Sequence, residues 1–161
     1  MIKIKKILSN IEEIVAGIFI CITVLSVILN VMLRTFGGRP ISSAEEIATM
    51  SFIWSIYIGG AACYKHKMHI GIDMVVQMLP EKGREIFNVL INIFVLVMNF
   101  VLLYLSIIFT KSSIAKPTSV LGISSAYVNS ALIVGFTLIL IRSLGFTFES
   151  IKSLKKKQQG E

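Results

Sequence analysis

Charge is what this chain has least of. Only 16% of its 161 residues are Asp, Glu, Lys or Arg, and 55% are apolar, whereas an ordinary soluble domain carries about 25% charged residues. Such a chain has too little polar surface to cover itself in water, and its hydrophobicity also excludes disorder, which needs the opposite balance. Two cysteines, Cys21 and Cys63, lie far apart in apolar runs and exclude a disulfide framework. Two histidines, His66 and His69, stand three apart with no further His in the chain and no Cys within their connection. A metal site needs more ligands than that, and a b-type haem needs histidines inside a bundle rather than in a connection. No cofactor is implied. None of the three prolines (Pro40, Pro80, Pro117) interrupts an apolar run.

What the chain does have is four charge-free stretches, 14–33, 47–64, 86–110 and 118–141. A hydrocarbon layer about 30 Å thick takes roughly 20 helical residues at about 1.5 Å each, so all four are long enough. Barrel strands would alternate over about ten residues, and continuous apolar runs read as helices because backbone amides in lipid must be paired internally. The fold expected is an all-α integral membrane protein, one domain over 1–161, with helices near 14–33, 44–64, 84–110 and 120–141 and a basic tail at 142–161. The first run is too long for a signal-peptide core, lacks a small-residue cleavage site, and follows Glu12 and Glu13. It reads as a retained helix.

Twelve basic residues fall in the N-terminus, the second connection and the tail, against four in the first and third connections. The positive-inside rule then places both termini in the cytoplasm, with anionic lipid as the nearest partner of that charge. Nucleic acid is not expected, since the basic residues form no face interleaved with stacking aromatics. Residues 66–79 mix Met, Ile, Val and Leu with Lys, His, Asp and Gln. They suit a cytoplasmic-side interfacial segment too short to cross, with Pro80 in the first turn of the next helix.

Several polar and small residues are candidates for packing or partner contact. Ser42 with Glu45, or Ser43 with Glu46, has capping-box spacing, and either carboxylate could instead pair with a basic residue of a partner. Ser51, Ser55, Gly59 and Ala62 form a small-residue stripe on the second helix. Asn88, Asn92, Asn99 and Ser106 line one face of the third. Such stripes hold helices together in lipid at about 0.6–2 kcal/mol per polar contact, and the pattern leaves open whether they meet within the chain or face another protein. Trp54 lies deep in the second span, where its indole N–H needs a partner.

No Asp, Glu, Lys, Arg or His lies inside any of the four stretches. Coupled transporters place ionisable groups or broken helices near the midplane, so the chain reads as a scaffold that neither catalyses nor transports alone. The segment Glu45-Glu46-Ile47, Phe52-Ile53-Trp54, Gly59-Gly60-Ala61-Ala62, His69-Ile70-Gly71-Ile72-Asp73 and Leu79-Pro80 resembles the small permease subunit, DctQ type, of tripartite ATP-independent periplasmic (TRAP) transporters. The resemblance implies a bacterial inner-membrane subunit stably paired with a large permease. That large subunit would carry the sodium and organic-acid sites (C4-dicarboxylate or sialic acid type), and a periplasmic binding protein would deliver the substrate. It also marks Glu45, Glu46, Trp54, Gly59, His69 and Asp73 as motif positions with structural or interface roles. On this reading Gly59→Leu should separate the subunits. The competing readings are a small redox protein using His or Cys, and a stand-alone small transporter.

Overall fold

The structure, a computed structural model, describes residues 10–37, 41–65 and 81–158, excepting the side chains of 81–86, 149 and 153–158. Four helices carry it: α1 Ile11–Gly37, α2 Ser42–Lys65, α3 Glu81–Ser112 and α4 Ala126–Gln158. All four are long and apolar enough to cross a membrane, and no strand occurs among the described residues, only an isolated bridge between Pro117 and Ser124. The apolar stretches thus become helices as expected. The segment expected at 66–79 lies outside the described residues, as do His66, His69 and Asp73.

Each end has a local cause. α1 opens with Asn10 O accepting the Ile14 amide at 3.1 Å. It carries Glu12 and Glu13 in its first turn and Arg34 in its last, the arrangement that the helix dipole favours. α4 opens later than expected, at Ala126 rather than near 120. Pro117, Gly122 and the Ser/Thr residues between them favour turns, and 113–125 folds as a hairpin. Thr118 N donates to Ile123 O at 2.7 Å and Ser125 N to Lys116 O at 2.9 Å, while Gly122 takes a φ of +66° that few other residues tolerate. α4 also continues sixteen residues past Arg142 to Gln158, where a tail was expected. No proline follows to stop it.

The helices pack as a row rather than a closed bundle. α1 packs on α2, α2 on α4, and α4 on α3; α1 and α3 form the edges. α1 and α2 run antiparallel, since Ala16 meets Ser55, Thr23 meets Ala48 and Asn30 meets Ile41. α2 and α4 run parallel, with Tyr57 against Phe136 and Tyr64 against Phe146. α3 and α4 are antiparallel, with Asn92 beside Ser150 and Thr110 beside Asn129. The buried positions, such as Ala48, Ala61, Ala62 and Ala131, are small, which lets backbones approach closely where lipid offers no hydrophobic drive between helices.

Candidate functional site

The polar and small residues singled out from the sequence fall mostly on the seams of this row. On α2, the Ser55 hydroxyl donates to Ala16 O at 3.1 Å, and a Cβ at Gly59 would sit 3.6 Å from that of Ala16. Thr23 donates to its own-turn Phe19 O at 2.9 Å and reaches Ala48 O at 3.4 Å. Ser51 is buried. Much of the second-helix stripe therefore meets α1 of the same chain. Trp54 stacks on Phe19 of α1, ring centroids 5.7 Å apart.

The third-helix stripe meets α4. Asn92 Nδ2 donates to Ser150 Oγ at 2.9 Å, and Thr147 Oγ1 lies 3.5 Å from Asn92 O. Asn99 and Ser106 are buried and bond back to Val95 O and Leu102 O of their own helix. Between these two seams lie the tightest surroundings of any described glycine, which the sequence did not flag. A Cβ on Gly135 would stand 2.8 Å from Tyr57 Cβ and 2.9 Å from Tyr57 O.

Two polar clasps tie the ends. At one, Arg142 of α4 pairs with Glu12 of α1, and Lys65 of α2 reaches Glu13 at 2.9 Å and Asn10 at 3.3 Å. Glu12 and Glu13 entered the sequence reading only as an argument against a signal peptide. The signal for their pairing was two acids at the edge of an apolar run with Lys65 and Arg142 at the edges of two others. At the opposite end Glu46 corrects the capping-box expectation for its carboxylate. Its Oε2 accepts the amides of Val120 at 2.8 Å and Leu121 at 3.0 Å, 74 and 75 residues away in the chain, so it secures the hairpin tip. Thr118 stands beside the same carboxylate without a proper hydrogen bond, since Thr118 Oγ1 and Glu46 Oε1 are both left unpartnered. Glu45 is exposed, and its carbonyl accepts the Thr49 hydroxyl at 3.0 Å. Glu46→Ala should speed hydrogen exchange at Val120 and Leu121 while leaving the amides of Thr118 and Ser125 protected by the hairpin's own bonds. Exchange followed by mass spectrometry reads this.

A groove of about 530 Å³ runs between α2, α3 and α4, lined by residues including Tyr57, Leu105, Phe109 and Phe136. No charged side chain lines it, so it offers no counter-charge to an organic anion. Cys21 and Cys63 are both exposed and unpaired with each other, and the described residues contain no cluster of His, Cys, Asp and Glu able to hold a metal.

The chain matches the family described as tripartite ATP-independent periplasmic transporters, DctQ component, over residues 10–153. It is 29% identical over 156 residues, 94% of this chain and 87% of the other, to the sialic acid TRAP transporter small permease protein SiaQ of Vibrio cholerae. It is 27% identical over 139 residues to the sialic acid TRAP transporter permease protein SiaT of Haemophilus influenzae, a match covering 85% of this chain and 22% of that one. Identity to the C4-dicarboxylate TRAP transporter small permease protein DctQ of Vibrio cholerae is 27% over 79 residues, 49% of this chain and 34% of the other.

Proposed function

The chain belongs to the DctQ component family of TRAP transporters, and from that membership we propose that it is the non-catalytic small membrane subunit of a sodium-coupled, binding-protein-dependent secondary transporter for organic acids of the sialic acid or C4-dicarboxylate type, bracing a large permease subunit. The observation that carries this is the family match across residues 10–153, which takes in all four helices. The match to SiaT adds to it: a stretch like this chain makes up 22% of one longer permease polypeptide. What is covalently joined there would be held by packing here.

The placement of ionisable groups fits an accessory role. Among the described residues, Glu12, Glu13, Lys65 and Arg142 pair with one another at one end of the row, and Glu46 holds a loop at the other. By the positive-inside rule the first clasp faces the cytoplasm and the hairpin faces the periplasm, toward the binding protein. A row of helices with two free edges extends the fixed part of a permease sideways through the lipid, so that the fixed part resists rocking while the mobile part moves cargo.

The test is uptake in proteoliposomes under a sodium gradient with the binding protein present. The large permease with this chain should take up substrate, and neither should do so alone. Full uptake by the large permease alone, or failure of the two to copurify, would reject the proposal.

A further inference from the structure

The groove between α2, α3 and α4 is a consequence of the row. Among the described residues α2 and α3 each pack on α4 but not on one another, so a furrow is left along α4 between them. α4 contributes Leu132 and Phe136 to it, α2 contributes Tyr57, and α3 lines it from Leu102 to Ser112. The lining is aliphatic and aromatic, and two of its hydroxyls are already bonded within α3. Ser106 donates to Leu102 O at 2.7 Å and Ser112 to Phe109 O at 2.8 Å. Such a surface belongs in hydrocarbon, and two things in a bilayer are apolar enough to fill it: a helix of another protein or the chain of a lipid.

Size separates the two. The stretch from Leu102 to Ser112 is about 15 Å long at about 1.5 Å per residue. A volume of about 530 Å³ spread over that length has a mean cross-section of about 35 Å². An α-helix with its side chains is about 10–12 Å across, or about 80–110 Å² in section. A helix would therefore ride on the rim of the groove, whereas a single file of methylenes lies within it.

Charge then says which lipid. A lipid tail is as apolar as the groove it would enter, so the tail gains little by moving there and selection falls to the headgroup. The groove ends at Ser112, the last residue of α3, and there the chain becomes cationic. Lys111 adjoins Ser112 and follows the lining residue Ile108 by three positions, which places it one turn further along the same side of the helix. Lys116 follows in the hairpin. Both lysines are exposed, and among the described residues the ion pairs are Lys65 with Glu13 and Arg142 with Glu12, at the opposite end. Glu46, the acid that reaches the hairpin, is engaged by the amides of Val120 and Leu121. Two cations without counter-charge thus stand at the open end of an apolar slot.

We infer that the groove between α2, α3 and α4 seats an acyl chain of an anionic glycerophospholipid whose phosphate is held by Lys111, with Lys116 as the second cation. The inference requires only that the chain spans a bilayer and is independent of the proposed permease partner.

Native mass spectrometry of the full chain tests it, with phosphatidylglycerol and phosphatidylcholine of identical palmitoyl-oleoyl chains offered in equal amounts. The basic N-terminus and tail attract phosphatidylglycerol as well, so the reading is the change made by substitution at this end. Leu105→Trp fills the groove from a position that is already 52% exposed. It should remove one tightly retained phosphatidylglycerol while helix content by circular dichroism stays the same. Lys111→Gln, a surface change, should weaken retention of that one lipid about fivefold, the factor expected for a single lysine beside an anionic headgroup, and leave phosphatidylcholine unaffected. Undiminished retention in both variants overturns the inference, as does an equal loss of the two lipids in Lys111→Gln. Loss of the same phosphatidylglycerol when the chain is copurified with a large permease also overturns it, because a protein segment would then fill the groove.

Discussion

Gly135→Val should part the row at its centre. A Cβ at this position would lie 2.8 Å from Tyr57 Cβ and 2.9 Å from Tyr57 O. Part of the obstacle is backbone, which cannot rotate aside as a side-chain tip can. Overfilling a packed contact costs about 1–3 kcal/mol, and valine adds two methyl groups to the clash. Among the described residues α2 and α4 form the one helix–helix packing seam between the α1/α2 pair and the α3/α4 pair, so the strain falls on that seam, with the Glu12–Arg142 pair and the Glu46 hairpin contact left to hold the halves. The expected result in detergent is a fall of about 2–12 °C in the unfolding midpoint, since about 1 kcal/mol moves it by about 2–4 °C at this chain length. Copurification with a large permease should weaken in the same variant. Gly59→Ala is the control. Its new Cβ would meet Ala16 Cβ at 3.6 Å, an ordinary contact, and alanine is favoured over glycine in a helix by about 1 kcal/mol. Gly59→Ala should therefore be neutral or stabilising. An equal loss in both variants would mean that the Gly135 contact is not special.

That contrast shows where sequence reasoning reached and where it stopped. Four charge-free runs locate four helices because in lipid each backbone amide has to be paired within its own segment, and no tertiary context overrides that. The small and polar stripes on α2 and α3 were legible as packing surfaces, since a step of three or four residues places side chains on one face. Which neighbour they met was not, because Ser55 would bond a carbonyl on any helix brought close enough. The 120–125 stretch reads as helix from its lack of charge but folds as the end of a hairpin, and Pro117 and Gly122 held the turn information. The end of α4 was missed for the converse reason. Arg142 reads as the limit of an apolar run, but its charge is met by Glu12 of α1, and the helix passes it without interruption. Gly59 carried the motif resemblance and Gly135 did not, yet of the two only Gly135 has no room for a Cβ. A glycine's role depends on what stands opposite, and that is a property of the fold.

The Glu12–Arg142 pair is the second place where one side chain should matter greatly. The two side chains keep only 12% and 22% of their surface, against 31% and 20% for Glu13 and Lys65. Removing one member of a fully buried pair strands the other, at a cost of about 3–5 kcal/mol, whereas replacing both with apolar residues is often neutral or stabilising; Glu12 and Arg142 are half-buried, so the cost here should be about 1–3 kcal/mol. Arg142→Leu should leave Glu12 as an uncompensated carboxylate whose second oxygen, Oε2, already lacks a hydrogen-bond partner. The unfolding midpoint should fall by roughly 2–12 °C at about 2–4 °C per kcal/mol. Glu12→Leu/Arg142→Leu should recover most of that loss, because the charge is removed together with its counter-charge. Lys65→Met is expected to do less harm: its pair with Glu13 is more open to solvent, where ion pairs contribute about 0–1 kcal/mol. If the double variant were no more stable than Arg142→Leu, the arginine would be acting through its packing along α4, and the clasp between α1 and α4 would have no energetic role. If it recovers, α1 is fixed at two places, along the α2 seam and at this ion pair. The edge helix would then be unable to swing out of the row even though most of its surface faces lipid.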